Sequence, residues 1–142
     1  MPEQLTHASC VSIHGKAVLI AGAPGAGKTD LALRLIDGGA ELIADDQTLL
    51  QEESGVISAT APASIAGLIE VRHVGLLRMN CRKTAPVALY IDLAPPNEKI
   101  ERLPEDDIIS LLGIEVRRLR LPAFAASTPA KIRAALAYKM EK

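Results

Sequence analysis

The densest chemistry in the chain lies in eight consecutive residues, Gly22-Ala23-Pro24-Gly25-Ala26-Gly27-Lys28-Thr29. They fit G-x-x-x-x-G-K-[ST], the Walker A phosphate-binding pattern, at every fixed position. Gly22, Gly25 and Gly27 let the backbone turn tightly and bring its amides to a phosphate with no Cβ in the way. A helix starting directly behind the loop adds unpaired N–H groups and the positive end of its dipole. Lys28 is suited to the β/γ oxygens, and the Thr29 hydroxyl to ligating Mg²⁺. The pattern therefore predicts binding of a nucleoside triphosphate or a similar polyphosphate. A glycine-rich turn that merely contains Lys-Thr would not need the strand before it and the helix after it.

Asp45-Asp46 begins seventeen residues after Lys28, one expected helix and one expected strand later. In an α/β arrangement the C-terminal ends of neighbouring strands share one edge of the sheet, so this acid pair should face the phosphate cradle. One carboxylate could hold Mg²⁺ and the other accept a proton from an incoming hydroxyl or water. Side chains alternate along an extended segment, so only one of the two need point at the metal. The competing reading is a turn-forming pair that satisfies backbone N–H groups. Glu70 sits in the apolar run Leu68-Ile69-Glu70-Val71. It is expected to be partly buried and to need a metal or Arg72 as partner. His7 and His14 precede the phosphate strand, and spacing alone leaves open whether either has a role.

The elements that must position these groups can be read along the chain. Residues 7–13 are β-prone and join Lys16–Ala21 through His14-Gly15, a hairpin. Leu31, Leu35 and Ile36 give Thr29 to Asp37 helical spacing, with Gly38-Gly39 as its stop. Glu41–Ala44 reads as a strand, and Thr48–Ala59 as two strands about Glu-Ser-Gly. Pro62–Gly67 reads as a helical turn, and Leu68–Arg72 and Gly75–Met79 as short extended pieces. Pro86–Leu93 is a clear strand, Asn97–Asp107 a charged surface excursion, and Ile114–Leu121 extended. Thr128 is expected to cap a helix running from Pro129 to about Met140. Strands outnumber helices and several are hairpin-connected, which predicts an α/β fold with a mixed sheet and flanking helices.

The 142 residues, 49% of them hydrophobic, suit a single domain spanning 1–142 with a core of Leu, Ile, Val and Ala, since aromatics are only 2%. A net charge of −1 argues against a general nucleic-acid binder, which is usually strongly basic. Seven Lys/Arg against two Glu from Glu115 onward form a solvated face or a surface for an acidic partner. Cys10 and Cys81 have no C-x-x-C spacing and are expected as buried small hydrophobes in a reducing compartment. Nothing resembles a signal peptide or a membrane span, which predicts a cytoplasmic protein.

Taken together, the chain resembles the catalytic domain of HPr kinase/phosphorylase. The resemblance rests on His7, the loop Gly22–Thr29, the run Leu42-Ile-Ala-Asp-Asp46 and the stretch Ala66-Gly-Leu-Ile-Glu-Val-Arg-His-Val-Gly-Leu77, close to the family's L-E-[IV]-R-G-[LIV]-G. It implies an ATP- and Mg²⁺-dependent kinase that phosphorylates a seryl residue of an HPr-like phosphocarrier, with a reverse phosphorylase reaction. In that reading Asp45 is the base, Lys28 binds phosphate, His7 lies beside Asp45, and Thr29, Asp46 and Glu70 surround the cation. The implied fold is a phosphate-binding core like that of phosphoenolpyruvate carboxykinase, assembled as a homo-oligomer, usually a hexamer. The family's N-terminal domain is not expected in this chain, as in short alphaproteobacterial forms. The stretch Leu121–Pro129 lacks the family's P-G-R-N, so the arginine tied to phosphorolysis has no counterpart. A nucleotide-sensing module without turnover is the alternative, and a small-molecule kinase a third reading that lacks an arginine-rich lid.

Overall fold

Short apolar runs broken by glycine and charged turns make the protein strand-rich. The computed structural model describes residues 2–141. In chain order the elements are β1 (Glu3–Thr6), β2 (Ala8–Ile13), β3 (Lys16–Ala21), α1 (Lys28–Asp37), β4 (Glu41–Ala44), β5 (Thr48–Glu53), β6 (Val56–Thr60), a 3-10 turn (Ala63–Ile65), β7 (Leu68–Val71), β8 (Gly75–Arg78), β9 (Thr84–Ala94), β10 (Ile108–Leu111), β11 (Ile114–Pro122) and α2 (Thr128–Ala137). The expected mixed sheet is present. One path runs β1-β5-β6-β9-β3-β2-β4, with β11 on β9 and β10 on β11, while β7 and β8 form a separate hairpin.

Strand direction decides which loops gather at one edge. β2 is antiparallel to both β3 and β4, so β3 and β4 run the same way on either side of it. β9 is parallel to β3, and β11 is parallel to β9. The C-terminal ends of β4, β3, β9 and β11 therefore share one edge. β9 is longer than the expected Pro86–Leu93 because it serves two neighbours. Its start pairs antiparallel with β6 and its remainder lies parallel to β3, which curls the sheet.

Each face of the sheet has its own core. Val18, Ile20, Leu89 and Ile91 pack against Leu31 and Leu35 of α1 and Ile132 of α2. On the opposite face Leu19 and Ile43 meet Leu50 and Ile57 of the curled ribbon and Val116 of β11. β2 is buried along its whole length, as a strand covered on both faces must be. Full burial of each Leu or Ile is worth roughly 1.5–3 kcal/mol.

Some expectations require correction. Thr128 is not the cap of the last helix; Ser127 occupies that position, and the buried Thr128 hydroxyl donates to the Pro122 carbonyl at 2.6 Å. That helix ends at Ala137, short of Met140. Burial of the Cys10 thiol holds its pKa far above the ordinary range, whereas Cys81 is exposed instead of buried. Two strands lacked a sequence signal. β1 is a polar, exposed edge strand on β5. β10 joins β11 through Leu112-Gly113, both at positive φ, as a twisted two-residue hairpin turn requires.

Candidate active site

β3 ends at Ala21 and α1 begins at Lys28, so residues 22–27 form the connection at the shared edge. The Ala26 N–H donates to the Ala23 carbonyl at 2.9 Å. Gly27 has φ 104, and a Cβ there would come within 2.8 Å of Cζ of Phe124. Both the backbone conformation and the close ring select glycine. Lys28 folds back over the loop. Its Nζ donates to the Gly22 carbonyl at 3.1 Å and lies 4.0 Å from Oδ1 of Asp46.

The acid pair stands at the end of β4, with β2 between it and the loop strand. Its two carboxylates are in opposite situations. Oδ1 of Asp45 accepts from the Thr29 hydroxyl at 2.7 Å and from the Ser9 hydroxyl at 3.1 Å. Oδ2 accepts from the Glu70 N–H at 3.1 Å. Asp45 thus fastens α1, β2 and the β7–β8 hairpin to one carboxyl group. Asp46 has φ 66, and its side chain is 69% exposed. Two bonds hold that left-handed turn: the Asp46 N–H donates to Ser9 Oγ at 3.0 Å, and the Gln47 N–H to the Asp45 carbonyl at 2.7 Å. The short side chain of Asp tolerates this conformation better than most.

Sequence reasoning missed Ser9. It is fully buried, donates to the Asp45 carboxylate and accepts from the Asp46 N–H, so a single hydroxyl ties one aspartate by its side chain and the other by its backbone. A serine inside an otherwise apolar strand was the available signal, since a buried hydroxyl needs partners. His7 is exposed and lines a cavity of about 550 Å³ with Thr6, Gly22, Ala23, Asp92 and Arg120. His7 precedes β2, and the β2 side chain in contact with Asp45 is that of Ser9. His14 sits in the β2–β3 turn with φ 49, a turn position. Glu70 is exposed, not partly buried as expected; Ile69 beside it is the buried residue. Among the described residues, no three His, Cys, Asp or Glu side chains converge as a metal cluster. Thr29 and Glu70, both bonded to Asp45, offer one hydroxyl and one carboxylate, and Mg²⁺ commonly takes one or two carboxylates and completes its shell with water and phosphate.

On the other side of the loop, Arg120 of β11 holds the connection after β9. Its guanidinium pairs with Asp92 at 2.6 Å and makes a two-pronged contact with Glu98. That contact holds the Glu98 carboxyl below the usual glutamate range. Arg34 of α1 donates to the Ala123 and Ala125 carbonyls and so fixes the segment after β11.

The whole chain, residues 1–142, matches the family described as HPr Serine kinase C-terminal domain. The chain belongs to that family. It is 36% identical over 135 residues to an HPr kinase/phosphorylase of Bordetella pertussis, which covers 87% of this chain and 44% of that protein. It is 32% identical over 131 residues to one of Clostridium novyi, covering 85% and 43%. The chain thus spans less than half the length of these relatives. Among solved structures, it superposes with a TM-score of 0.82 and 27% identity on the Hpr(Ser) kinase/phosphatase from Coxiella burnetii, covering 94% of this chain and 93% of that one. The mixed α/β architecture with its curled sheet is the architecture of that HPr kinase family structure.

Proposed function

We propose that the chain is the catalytic domain of a protein serine kinase that transfers the terminal phosphoryl group of ATP to a seryl hydroxyl of an HPr-like phosphocarrier. Family membership supports the class of reaction. The observation that carries the mechanism is the pair of contacts Thr29–Asp45 and Lys28–Asp46, which unites the glycine-rich loop and the acid pair in one site. The residues 22–29 serve as the phosphate cradle of a core like that of phosphoenolpyruvate carboxykinase, with backbone amides and Lys28 on the phosphates. Bound Mg²⁺ supplies charge neutralisation on those phosphates, with Thr29 and Glu70 as its protein donors.

The hydrogen bonding favours exchanging the two aspartate roles expected from the sequence. Both oxygens of Asp45 are already engaged, Oδ1 by the Ser9 and Thr29 hydroxyls and Oδ2 by the Glu70 N–H, so it faces its own scaffold and not an incoming hydroxyl. Its role is to orient Thr29. Asp46 is exposed, with Lys28 at salt-bridge distance. It takes the proton from the seryl hydroxyl as that oxygen attacks the terminal phosphorus and the bond to the bridging oxygen breaks. His7, across the adjoining cavity, orients the incoming hydroxyl. In the reverse direction a terminal oxygen of ADP takes the phosphoryl group, the bond from phosphorus to the serine oxygen breaks, and Asp46 returns its proton to that oxygen. A cytoplasmic homo-oligomer, a hexamer as implied by the family resemblance, is the proposed working form.

The test is direct. With ATP and Mg²⁺, a purified HPr-like carrier should gain the mass of one phosphoryl group, located on a serine. Asp46→Asn should lose that transfer while still binding ATP. Transfer at the wild-type rate by Asp46→Asn would sink the assignment, and ATP binding with no transfer by the wild type would favour the nucleotide-sensing reading.

A further inference from the structure

The edge that carries the glycine-rich loop has a second flank, formed by the segments that leave β9 and β11. Residues 94–96, Ala-Pro-Pro, start at the last residue of β9, and residues 122–125, Pro-Ala-Phe-Ala, at the last residue of β11. Between them lies a cavity of about 230 Å³ that also touches Gly25 and Ala26 of the loop. The side chains that line it are all apolar, with Pro95, Pro96, Pro122 and Phe124 as the large members, and its polar atoms belong to the backbone. Phe124 is the sole phenylalanine in a chain with 2% aromatics, yet 61% of it is exposed. A ring placed for core packing would be buried. This one rests its edge on Gly27.

Strand order gives the cavity an occupant. A polyphosphate held by residues 22–29 has its reacting end at the acid pair beyond β2, on the β4 side of the loop. The remainder of the molecule must leave on the other side, towards β9 and β11. In open α/β sheets, ligands lie in the crevice outside the carboxyl ends of the strands. A flat, mostly apolar ring reaching that side meets proline faces and an exposed aromatic. A base gains most from such surfaces by stacking, which tolerates different bases because every base has a π face.

Resting on the phosphate-loop reading of residues 22–29, we infer that this cavity receives the nucleobase of the bound nucleotide, held by stacking against Phe124 and the prolines with little selection between purines. No polar side chain lines it. The strong rejection of a wrong base that comes from buried side-chain donors and acceptors left unpaired is therefore absent. Arg34 and Arg120 act at one remove, fixing the two segments that form the walls.

Equilibrium binding by the full chain in Mg²⁺ tests this with three ligands: ATP, GTP and inorganic tripolyphosphate. Wild type should bind ATP and GTP within about threefold of each other. Phe124→Ala should weaken both about tenfold or more and leave tripolyphosphate within about twofold. Ala125→Phe, which fills the cavity from its rim, should act likewise, so the result does not hang on one variant. Lys28→Ala should weaken all three ligands; unchanged tripolyphosphate binding there would remove the phosphate-loop reading itself. Equal losses of ATP and tripolyphosphate in Phe124→Ala and Ala125→Phe would overturn the nucleobase site alone. So would a large ATP preference over GTP in the wild type. On the wild type, 2-azido-ATP should photolabel the tryptic peptides 84–99 or 121–131, and labelling confined to other peptides would overturn the assignment whatever the variants do.

Discussion

The two flanks of the glycine-rich loop are built by opposite means. On the β4 side, polar side chains lock one another: Ser9, Thr29 and the Glu70 N–H all converge on Asp45. On the β9 and β11 side the lining is proline, alanine and one phenylalanine, and the fastening is done from outside by Arg34 and Arg120. The first arrangement fixes atoms to within a hydrogen bond, as orienting the Thr29 hydroxyl demands. The second offers an unspecific surface, suited to a group that must be held but does not react. A polar network is intolerant of losing a member, because each deletion leaves a buried partner unsatisfied. An apolar wall degrades more gently.

That contrast can be broken most sharply at Asp46. Asp46→Asn should lower transfer to the carrier by about 10²–10⁴-fold with ATP affinity nearly unchanged, whereas Asp45→Asn should impair the Mg²⁺ dependence as well, through Thr29. Initial rates against Mg²⁺ concentration separate the two, and identical profiles would erase the proposed division of labour. Ser9→Ala comes next. It removes the donor to Asp45 and the acceptor of the Asp46 N–H, and should cost about 1–3 kcal/mol in urea unfolding together with reduced kcat. A variant as stable and active as wild type would mean that the network is not cooperative. On the apolar flank, Arg34→Met should raise the ATP dissociation constant about three- to tenfold by releasing the Ala123 and Ala125 carbonyls, again sparing tripolyphosphate. Loss of both ligands alike would place its effect on α1 instead.

The smallest effect concerns pH. Glu98 is held below its ordinary pKa by Arg120, so its anchoring is complete above the usual glutamate range. It is lost as pH falls through the lowered value. Asp107 behaves likewise through Arg118, with a hydrogen bond of 2.7 Å. Amide exchange across residues 97–107, corrected for intrinsic rates, should accelerate below that range, and Glu98→Gln should show the fast behaviour already at neutral pH. A protection pattern indifferent to both would remove the anchoring role.

Much of the fold was legible because its signals are local. Glycines at fixed spacing, Gly38-Gly39 after a helical run and the alternation in β9 each act within a few residues, and the helix, hairpins and mixed sheet followed from them. β1 and β10 were not legible, since both are short and neither announces itself without the strand it pairs with. Thr128 misled for a related reason. Its hydroxyl takes the Pro122 carbonyl, a partner that only the packing of β11 against α2 supplies.

At the site the same boundary holds. The sequence by itself determined which groups are available: a glycine-rich loop with Lys28 and Thr29, and two carboxylates one helix and one strand later. Two adjacent aspartates are chemically identical in a sequence, so it did not distinguish them. Their difference arises from neighbours distant along the chain: Ser9, Thr29 and Glu70 for Asp45, against solvent and Lys28 for Asp46. Tertiary structure alone decided that difference, because what a carboxylate can do depends on who already donates to it. It likewise decided that one exposed phenylalanine stands against the loop, a placement set by the parallel course of β3, β9 and β11.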